Sequence, residues 1–404
     1  MKRQSVLALI ASALLGGEPQ AAEFTFRGIT PDEPFKIAEF RLEGEIADAD
    51  VEHAKAALAK ADLMNRPGEW DEIVVSLNSA GGSYKAAIDL ALFFRQRGFA
   101  TVVKTGDRCI SACALAFLGG TSGADPSFPD GDALPRRAPD RSIEPGAELA
   151  FSPPRIALPR LLTTPSAAAK AHSAALSDFA RLLDVAEELH VSADATAPIL
   201  EAAEDEPYRI DTVEAVRSLG IDYDSKDLIL GNLPGVTRSM IMNACINRYH
   251  HLQEHRSRSG FSRAASVMKE FIEGSKLLRN GEESRAFGYR QEAQMGRRWL
   301  AYMAVDKTED EKSFVWCIFE GDRIDPGVFY KYAGTVEQLF SDFSPAKPIF
   351  AFSRSETSLP IGRGGDERTW MNMLDMVPPE TKLSDVRERV DAYLEREKLV
   401  PFPD

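Results

Sequence analysis

Short apolar runs alternate with segments of helical periodicity over the first half of the chain. Ile37 to Leu42 and Ile73 to Leu77 have the length and composition of buried strands, and Ala49 to Asp62 between them has a helical pattern. Strands that alternate with helices of this length predict βαβ units and a largely parallel sheet. The alternation continues with helix Tyr84 to Arg97, strand Ala100 to Lys104, strand Glu148 to Ser152, helix Ala167 to Glu188, helix Asp211 to Leu219 and strand Ile221 to Ile229.

This pattern predicts an α/β domain over residues 35–230, interrupted by a loop rich in Pro, Gly and Asp from Gly119 to Glu144. After Gly235 the composition changes. The stretch from Arg238 to Arg298 carries 12 Lys and Arg against 6 Glu in a mostly helical pattern. We interpret it as a solvated basic helix face, with an anionic partner as the alternative.

Two strand-like runs follow the basic stretch, Trp299 to Val305 and Ser313 to Phe319. We therefore expect a smaller helical or α+β domain over residues 236–349. The remaining residues, 350–404, are predicted to form a tail with one amphipathic helix from Leu383 to Lys398.

Composition narrows the class of protein. The 404 residues are 44% hydrophobic and 27% charged, enough for a core and for more than one domain. The formal net charge of −14 argues against nucleic acid as the partner, because binding to the phosphate backbone needs excess positive charge. A multi-span membrane protein is excluded, because no apolar run is long enough for a transmembrane helix.

The N-terminus has the order of a secretory signal peptide. Lys2 and Arg3 precede the apolar run Val6 to Gly17, and a polar stretch then leads to Ala21 and Ala22. We expect cleavage after Ala22, so that residues 1–22 are removed and no transmembrane span remains. The mature chain is then periplasmic or secreted.

An exported chain can keep disulfides, and this one has four cysteines. Cys109 and Cys113 form a close pair, and Cys245 and Cys317 a distant one. We predict that each pair forms a disulfide, with four free buried thiols as the alternative. A metal site is not expected, because no histidine or second Cys-x-x-Cys motif stands near these cysteines.

Two segments carry candidate chemistry. In Leu77-Asn78-Ser79-Ala80-Gly81-Gly82-Ser83, glycines lie between a buried strand and a helix, where backbone amides can point into a cavity. In Cys109-Ile110-Ser111-Ala112-Cys113-Ala114, Ser111 lies between a strand and a helix, beside the unbonded N–H groups of the helix start. The first pattern predicts half of an oxyanion hole and the second a nucleophile.

Together the two segments resemble the ClpP-like serine peptidases of the ClpP/crotonase superfamily. More narrowly, they are similar to a bacterial family of predicted periplasmic ClpP-like proteins with cysteines flanking the nucleophile. The resemblance covers residues 35–230 and implies a ClpP/crotonase-like α/β fold. It also implies that Ser111 is the nucleophile and that the amides of Gly82 and Ala112 form the oxyanion hole.

The general base departs from the family pattern. The family has a histidine at the end of the strand after the nucleophile helix, and Ser152 occupies that position here. A serine hydroxyl cannot take the proton from Ser111 at a useful rate. The resemblance places the third member of the triad at Asp205 or Glu206. Lys170 and His172 are alternative bases, because a Ser–Lys dyad occurs in a related peptidase class.

Three functions follow from these residues. The first is an exported serine hydrolase with an unconventional base, and the second is a pseudoenzyme that binds a peptide or protein without cutting it. The third, crotonase-type acyl chemistry, is disfavoured because acyl-CoA is not expected outside the cytoplasm. The presence of Ser111 favours an enzyme. The presence of Ser152 in place of the histidine favours a pseudoenzyme, with weak or no peptidase activity. No cofactor is expected, and a homo-oligomer remains open.

Overall fold

The structure is a computed structural model, and most of the first 228 residues are described. For the strands between residues 287 and 332 it describes the backbone only. The predicted signal peptide lies outside the described residues except for Ala22. The described ranges are 22–32, 35–65, 69–121, 139–153, 164–203, 205–228, 233, 235–237, 239–240, 243–244, 247, 287–291, 298–308, 311–320, 323–332, 372–397 and 399.

The first half of the chain forms a mixed α/β unit. Its strands are β1 (Glu23–Asp32), β2 (Phe35–Glu43), β3 (Glu72–Asn78), β4 (Ala100–Val103), β5 (Arg108–Ile110), β6 (Arg141–Ile143), β7 (Glu148–Phe151), β8 (Tyr208–Arg209) and β9 (Asp222–Tyr223). The helices are α1 (Asp50–Ala61), α2 (Tyr84–Arg97), α3 (Ala112–Phe117), α4 (Pro165–Ala186), α5 (Ala193–Glu201) and α6 (Val213–Ser218).

The larger sheet of this unit is mostly parallel, as the alternation of strands and helices predicts. Its order is β1-β2-β3-β4-β6-β9, and every neighbouring pair is parallel except the antiparallel hairpin β1–β2. The residues of β3 from Ile73 to Leu77 are buried, as expected of a central strand that the layers of an α/β fold cover on both faces. The sheet begins at Glu23, before the predicted domain start at residue 35.

Helix α2 begins and ends at the predicted residues because both ends carry a capping signal. The Ser83 hydroxyl accepts a hydrogen bond from the N–H of Ala86, and Gly98 closes the helix at φ 69°. Helix α4 lies two residues earlier than predicted. The predicted loop from Gly119 to Glu144 ends in a strand, β6, which the pattern missed because its first residue is a buried arginine, Arg141.

A smaller sheet has the order β5-β7-β8. Strands β5 and β7 are parallel, with Ile110 opposite Ala150, whereas β7 and β8 are antiparallel, with Phe151 opposite Tyr208. The carboxyl ends of β5 and β7 and the amino end of β8 therefore meet at one edge. This edge holds the candidate site.

The C-terminal segment packs on the α/β unit. Helix α7 (Val386–Arg396) and the turn before it contribute Met373, Leu374 and Val390 to the same hydrophobic core as β2 and β3. The side-chain amide nitrogen of Asn247 lies 3.2, 3.0 and 2.8 Å from the carbonyl oxygens of Leu374, Asp375 and Val377. Part of the predicted tail is therefore a component of the core.

A separate antiparallel sheet has the order β10-β11-β12-β13. Its strands are β10 (Phe287–Gln291), β11 (Arg298–Thr308), β12 (Glu311–Glu320) and β13 (Arg323–Tyr332). The second and third include the two predicted strands, and the other two were not predicted. Most of the basic stretch before β11 lies outside the described residues, so the limits of a second domain stay a prediction.

No helix in the described ranges is long and apolar enough to cross a membrane.

Candidate active site

Ser111 occupies a strained turn between β5 and α3. Its φ and ψ are 57° and −118°, a combination that costs a residue with a side chain about 1–3 kcal/mol. Such sharp strand-to-helix turns present a serine hydroxyl at the top of the sheet in α/β-hydrolases. The N–H of Ser111 donates to the carbonyl of Ala150 at 2.8 Å, which ties the turn to β7. The residue is 8% exposed.

The glycine turn after β3 lies directly against Ser111. Ser79 is paired with Cys109, since its N–H donates to the Arg108 carbonyl at 2.7 Å and its carbonyl accepts from the N–H of Ile110 at 3.1 Å. Gly81 has φ 117°, and a Cβ there would lie 3.2 Å from the Ser111 Cβ and 3.5 Å from the Ala112 nitrogen. A side chain at Gly81 would therefore crowd Ser111.

Gly82 has no space for a side chain either, but for a different reason. It has φ 137°, and a Cβ would lie 2.6 Å from the Ile46 nitrogen and nearer still to the Ile46 carbonyl oxygen. The two neighbouring residues bond to Ile46, because Gly81 accepts from its N–H and Ser83 donates to its carbonyl, both at 2.8 Å. Ile46 thus holds the glycine turn in place.

The packing places the turn that contains Gly82, one predicted oxyanion-hole residue, against Ala112, the other, because a Cβ on Gly81 would lie 3.5 Å from the Ala112 nitrogen. Within the described part of the chain, neither N–H donates to a backbone carbonyl. The Ala112 N–H is in the first turn of α3, where no intrahelical acceptor exists. Neither predicted oxyanion-hole amide is therefore occupied by a backbone acceptor there.

The disulfide predicted between Cys109 and Cys113 is present, with Cα atoms 5.0 Å apart. Both cysteines are fully buried, and Ser111 lies midway between them in the sequence. The bond therefore joins the end of β5 to the first turn of α3 across the strained residue. The predicted Cys245–Cys317 pair stays a prediction, because Cys245 and the side chain of Cys317 lie outside the described part.

Ser152, the residue at the family's histidine position, directly follows β7. Because β5 and β7 are parallel and in register, Ser111 and Ser152 both lie at the carboxyl end of the small sheet. Ser152 is 2% exposed, and its carbonyl accepts a hydrogen bond from the Tyr84 hydroxyl at 3.4 Å. A residue with a neutral hydroxyl group therefore stands at this edge, where the family pattern has the basic histidine.

The other candidate bases and acids lie at exposed positions. Lys170 and His172 are exposed on α4, and Asp205 and Glu206 are exposed just before β8, near the same edge. Among the residues that the structure describes, no histidine, lysine or carboxylate is hydrogen-bonded to Ser111. The geometry there places Ser111 against the glycine turn without a basic side chain hydrogen-bonded to it.

Sequence reasoning missed Tyr84, the first residue of α2. Burial raises the pKa of its hydroxyl, and the carboxylate of Asp178 raises it further. Burial also raises the pKa of Asp178, against the lowering effect of Arg181 and Lys85. Tyr84 therefore remains a neutral hydrogen-bond donor beside Ser152. Its place directly after Gly-Gly-Ser is a signal that could have identified it.

Within the described residues, no group of three or more His, Cys, Asp or Glu side chains is arranged to hold a metal ion.

Comparisons with known proteins place few limits on the function. No protein-family model matches the chain, and no curated protein matches it in sequence. Among solved structures, the chain is similar to a mutant of the 1510-N membrane-bound stomatin-specific protease. The alignment has 14% identity and a TM-score of 0.23, and it covers 38% of this chain and 67% of that chain. A likeness at this level does not establish a shared fold.

Proposed function

We propose that this chain is an exported, ClpP-like serine peptidase-related protein whose site binds the carbonyl group of a peptide and reacts with it slowly or not at all. The observation that carries the proposal is the conformation of Ser111. A non-glycine residue at positive φ, packed against a glycine turn, carries backbone strain of the kind that clusters at functional sites.

The arrangement suits the binding of a peptide carbonyl group. In this proposal the Ser111 hydroxyl faces the carbonyl carbon of a bound peptide, and the N–H groups of Gly82 and Ala112 hold its oxygen. Donors placed where negative charge develops commonly stabilise the transition state by several kcal/mol. The carbonyl can be bound by these donors whether or not the bond to Ser111 forms.

The attack on this carbonyl group lacks a general base. Attack by Ser111 requires removal of the hydroxyl proton, and general bases typically contribute 10²–10⁴-fold to the rate. Ser152 and Tyr84 are neutral hydroxyl groups, and neither accepts a proton readily at neutral pH. We therefore expect slow acylation and weak or absent peptidase activity.

Two alternatives remain. An active hydrolase would need Lys170 or His172 as the base, although both side chains are exposed and a lysine base requires burial to lower its pKa. A purely non-catalytic binding module would use the same pocket for a peptide or protein partner.

Export is supported by the signal-like N-terminus and by the disulfide, which persists in oxidising compartments.

A serine-directed fluorophosphonate probe tests the proposal, with Ser111→Ala as the matched variant. We expect the purified protein to be labelled slowly or not at all, with any label located on Ser111 by mass spectrometry. Rapid labelling that is lost in Ser111→Ala would contradict the absence of a base. Slow labelling that persists in Ser111→Ala would contradict the role of Ser111.

A further inference from the structure

Asn78 lies where the chain passes from the larger sheet to the smaller one. It is the last residue of β3, it stands opposite Glu43 of β2, and its carbonyl accepts a hydrogen bond from the N–H of Gly44 at 3.3 Å. The next residue, Ser79, forms a parallel bridge with Cys109 of β5. Asn78 is therefore the point at which the two sheets are joined on the nucleophile side of the site.

The side chain of Asn78 provides an acceptor for the first N–H of β5. The N–H of Arg108 donates to the Asn78 Oδ1 at 3.2 Å. The backbone carbonyls nearby bond elsewhere, since that of Asn78 accepts from Gly44 and that of Ser79 accepts from Ile110. The side-chain amide thus adds one hydrogen bond to the pairing between Ser79 and β5, in the way that Asn side chains replace backbone groups in turns.

A ring of polar side chains orients the Asn78 amide and returns to β5. The Asn78 Nδ2 donates to the Glu43 Oε1 at 3.1 Å, and the Glu43 Oε2 accepts from the Arg41 Nε at 3.1 Å. The two terminal nitrogens of Arg41 donate to the two carboxylate oxygens of Asp107 at 2.8 and 2.9 Å. Asp107 directly precedes Arg108, so the ring holds two consecutive residues where β5 begins.

The charges in this ring determine which way the Asn78 amide points. The hydrogen bond and the charge of Arg41 lower the pKa of Glu43, and the hydrogen bond from Asn78 lowers it further. An ionised carboxylate only accepts hydrogen bonds, so the NH2 group of Asn78 faces Glu43 and its oxygen faces Arg108. The bidentate pair of Arg41 with Asp107 adds geometric specificity to the ring.

We propose that Asn78 is a positioning residue that fixes the Ser111 turn through the start of β5. Only two residues separate Arg108 from Ser111, so the strand has little length over which to absorb a shift. A displaced β5 would move Ser111 away from Gly81, where a Cβ would lie 3.2 Å from the Ser111 Cβ. The inference rests on the function proposed for Ser111.

A donor–acceptor exchange between residues 78 and 43 tests the proposal. Asn78→Asp places a second carboxylate against Glu43, whereas Asn78→Asp combined with Glu43→Gln restores one amide and one carboxylate. We expect amide hydrogen exchange at Ile110 and Ser111 to become roughly fivefold faster or more in the single variant and to recover in the double variant. The amides of α2 should keep their rates in both, because the effect is local to β5.

Asn65→Asp is the matched control. It makes the same change beside another carboxylate, that of Asp62, to which the Asn65 Nδ2 donates at 2.6 Å at an exposed position after α1. Exchange at Ser111 should not change in this control. The proposal is overturned if Asn78→Asp leaves exchange at Ser111 unchanged, if it accelerates exchange in α2 equally, or if the double variant exchanges as fast as the single one.

Labelling by the fluorophosphonate probe separates this inference from the function proposed for Ser111. We expect Asn78→Asp to slow the labelling of Ser152→His roughly tenfold or more, and the addition of Glu43→Gln to restore it. Labelling of Ser152→His that Asn78→Asp leaves unchanged would overturn the positioning role. A Ser152→His variant that is not labelled contradicts the proposed function alone, and the exchange measurement then decides the role of Asn78.

Discussion

Ser111 and Gly82 show how single residues determine the candidate site. Ser111 adopts a backbone conformation that a serine rarely takes, and it is held there by the Ala150 carbonyl and by the glycine turn. Gly82 approaches Ile46 so closely that a methyl group has no space. Both residues could be recognised from the sequence, because a strand, a Gly-containing turn and a helix imply such close contacts. The hydrogen bond from Tyr84 to Ser152 could not, because it joins side chain and backbone across distant segments.

Gly82→Ala should destabilise the protein much more than a matched glycine substitution elsewhere. Gly28→Ala is the control, because Gly28 has a similar φ of 134° but open space where the Cβ would lie. Both variants carry backbone strain of about 1–3 kcal/mol. Only Gly82→Ala must also displace the Ile46 backbone. Urea unfolding should give the larger loss for Gly82→Ala, and equal losses would contradict the close contact with Ile46.

A helix with a capping signal at each end could be predicted from the sequence more closely than the shortest strands. Helix α2 has the predicted bounds because Ser83 and Gly98 limit it. Strand β6 was missed, and β9 is two residues long where the pattern predicts a strand from Ile221 to Ile229, because so few residues show no apolar alternation. The disulfide Cys109–Cys113 was predicted from spacing, and it adds a covalent constraint to the turn between β5 and α3.

Replacement of both cysteines, Cys109→Ala with Cys113→Ala, should loosen the Ser111 turn. A bridge that closes so short a loop is expected to contribute about 2 kcal/mol by restricting the unfolded chain. We expect faster amide hydrogen exchange in peptides that contain Ser111, whose N–H bonds to Ala150, and little change in β3. Equal exchange in the variant and the wild type would show that packing alone holds the turn.

At the scale of the whole molecule, the C-terminal segment joins a core that is formed mostly by the first half of the chain. Periodicity predicts helix α7 but gives no partner for its apolar side, because contacts between distant segments leave no local pattern. The structure supplies the partner: Val386 and Val390 are fully buried, and Arg217 forms an ion pair with Asp375 at 2.7 Å. The predicted 350–404 tail is therefore attached to the unit that carries the site.

Asn247→Ala should weaken this attachment. The change leaves the carbonyls of Leu374, Asp375 and Val377 without the amide donor, and each buried unsatisfied group costs roughly 1–3 kcal/mol. Arg389→Ala, at an exposed position on α7, is the control and should have little effect. Limited proteolysis should release the C-terminal segment faster from Asn247→Ala than from the control. The same rate in both would contradict the role of Asn247.

The central claim is that the site retains its nucleophile and oxyanion donors and lacks only a base at residue 152. The most direct test is the rate of fluorophosphonate labelling in Ser152→His, with Ser152→Ala and the double variant Ser111→Ala with Ser152→His as controls. A histidine there would lie at the same sheet edge as Ser111, so we expect labelling of Ser111 to increase roughly a hundredfold or more in Ser152→His alone. A folded Ser152→His variant that is labelled no faster than Ser152→Ala would contradict the claim.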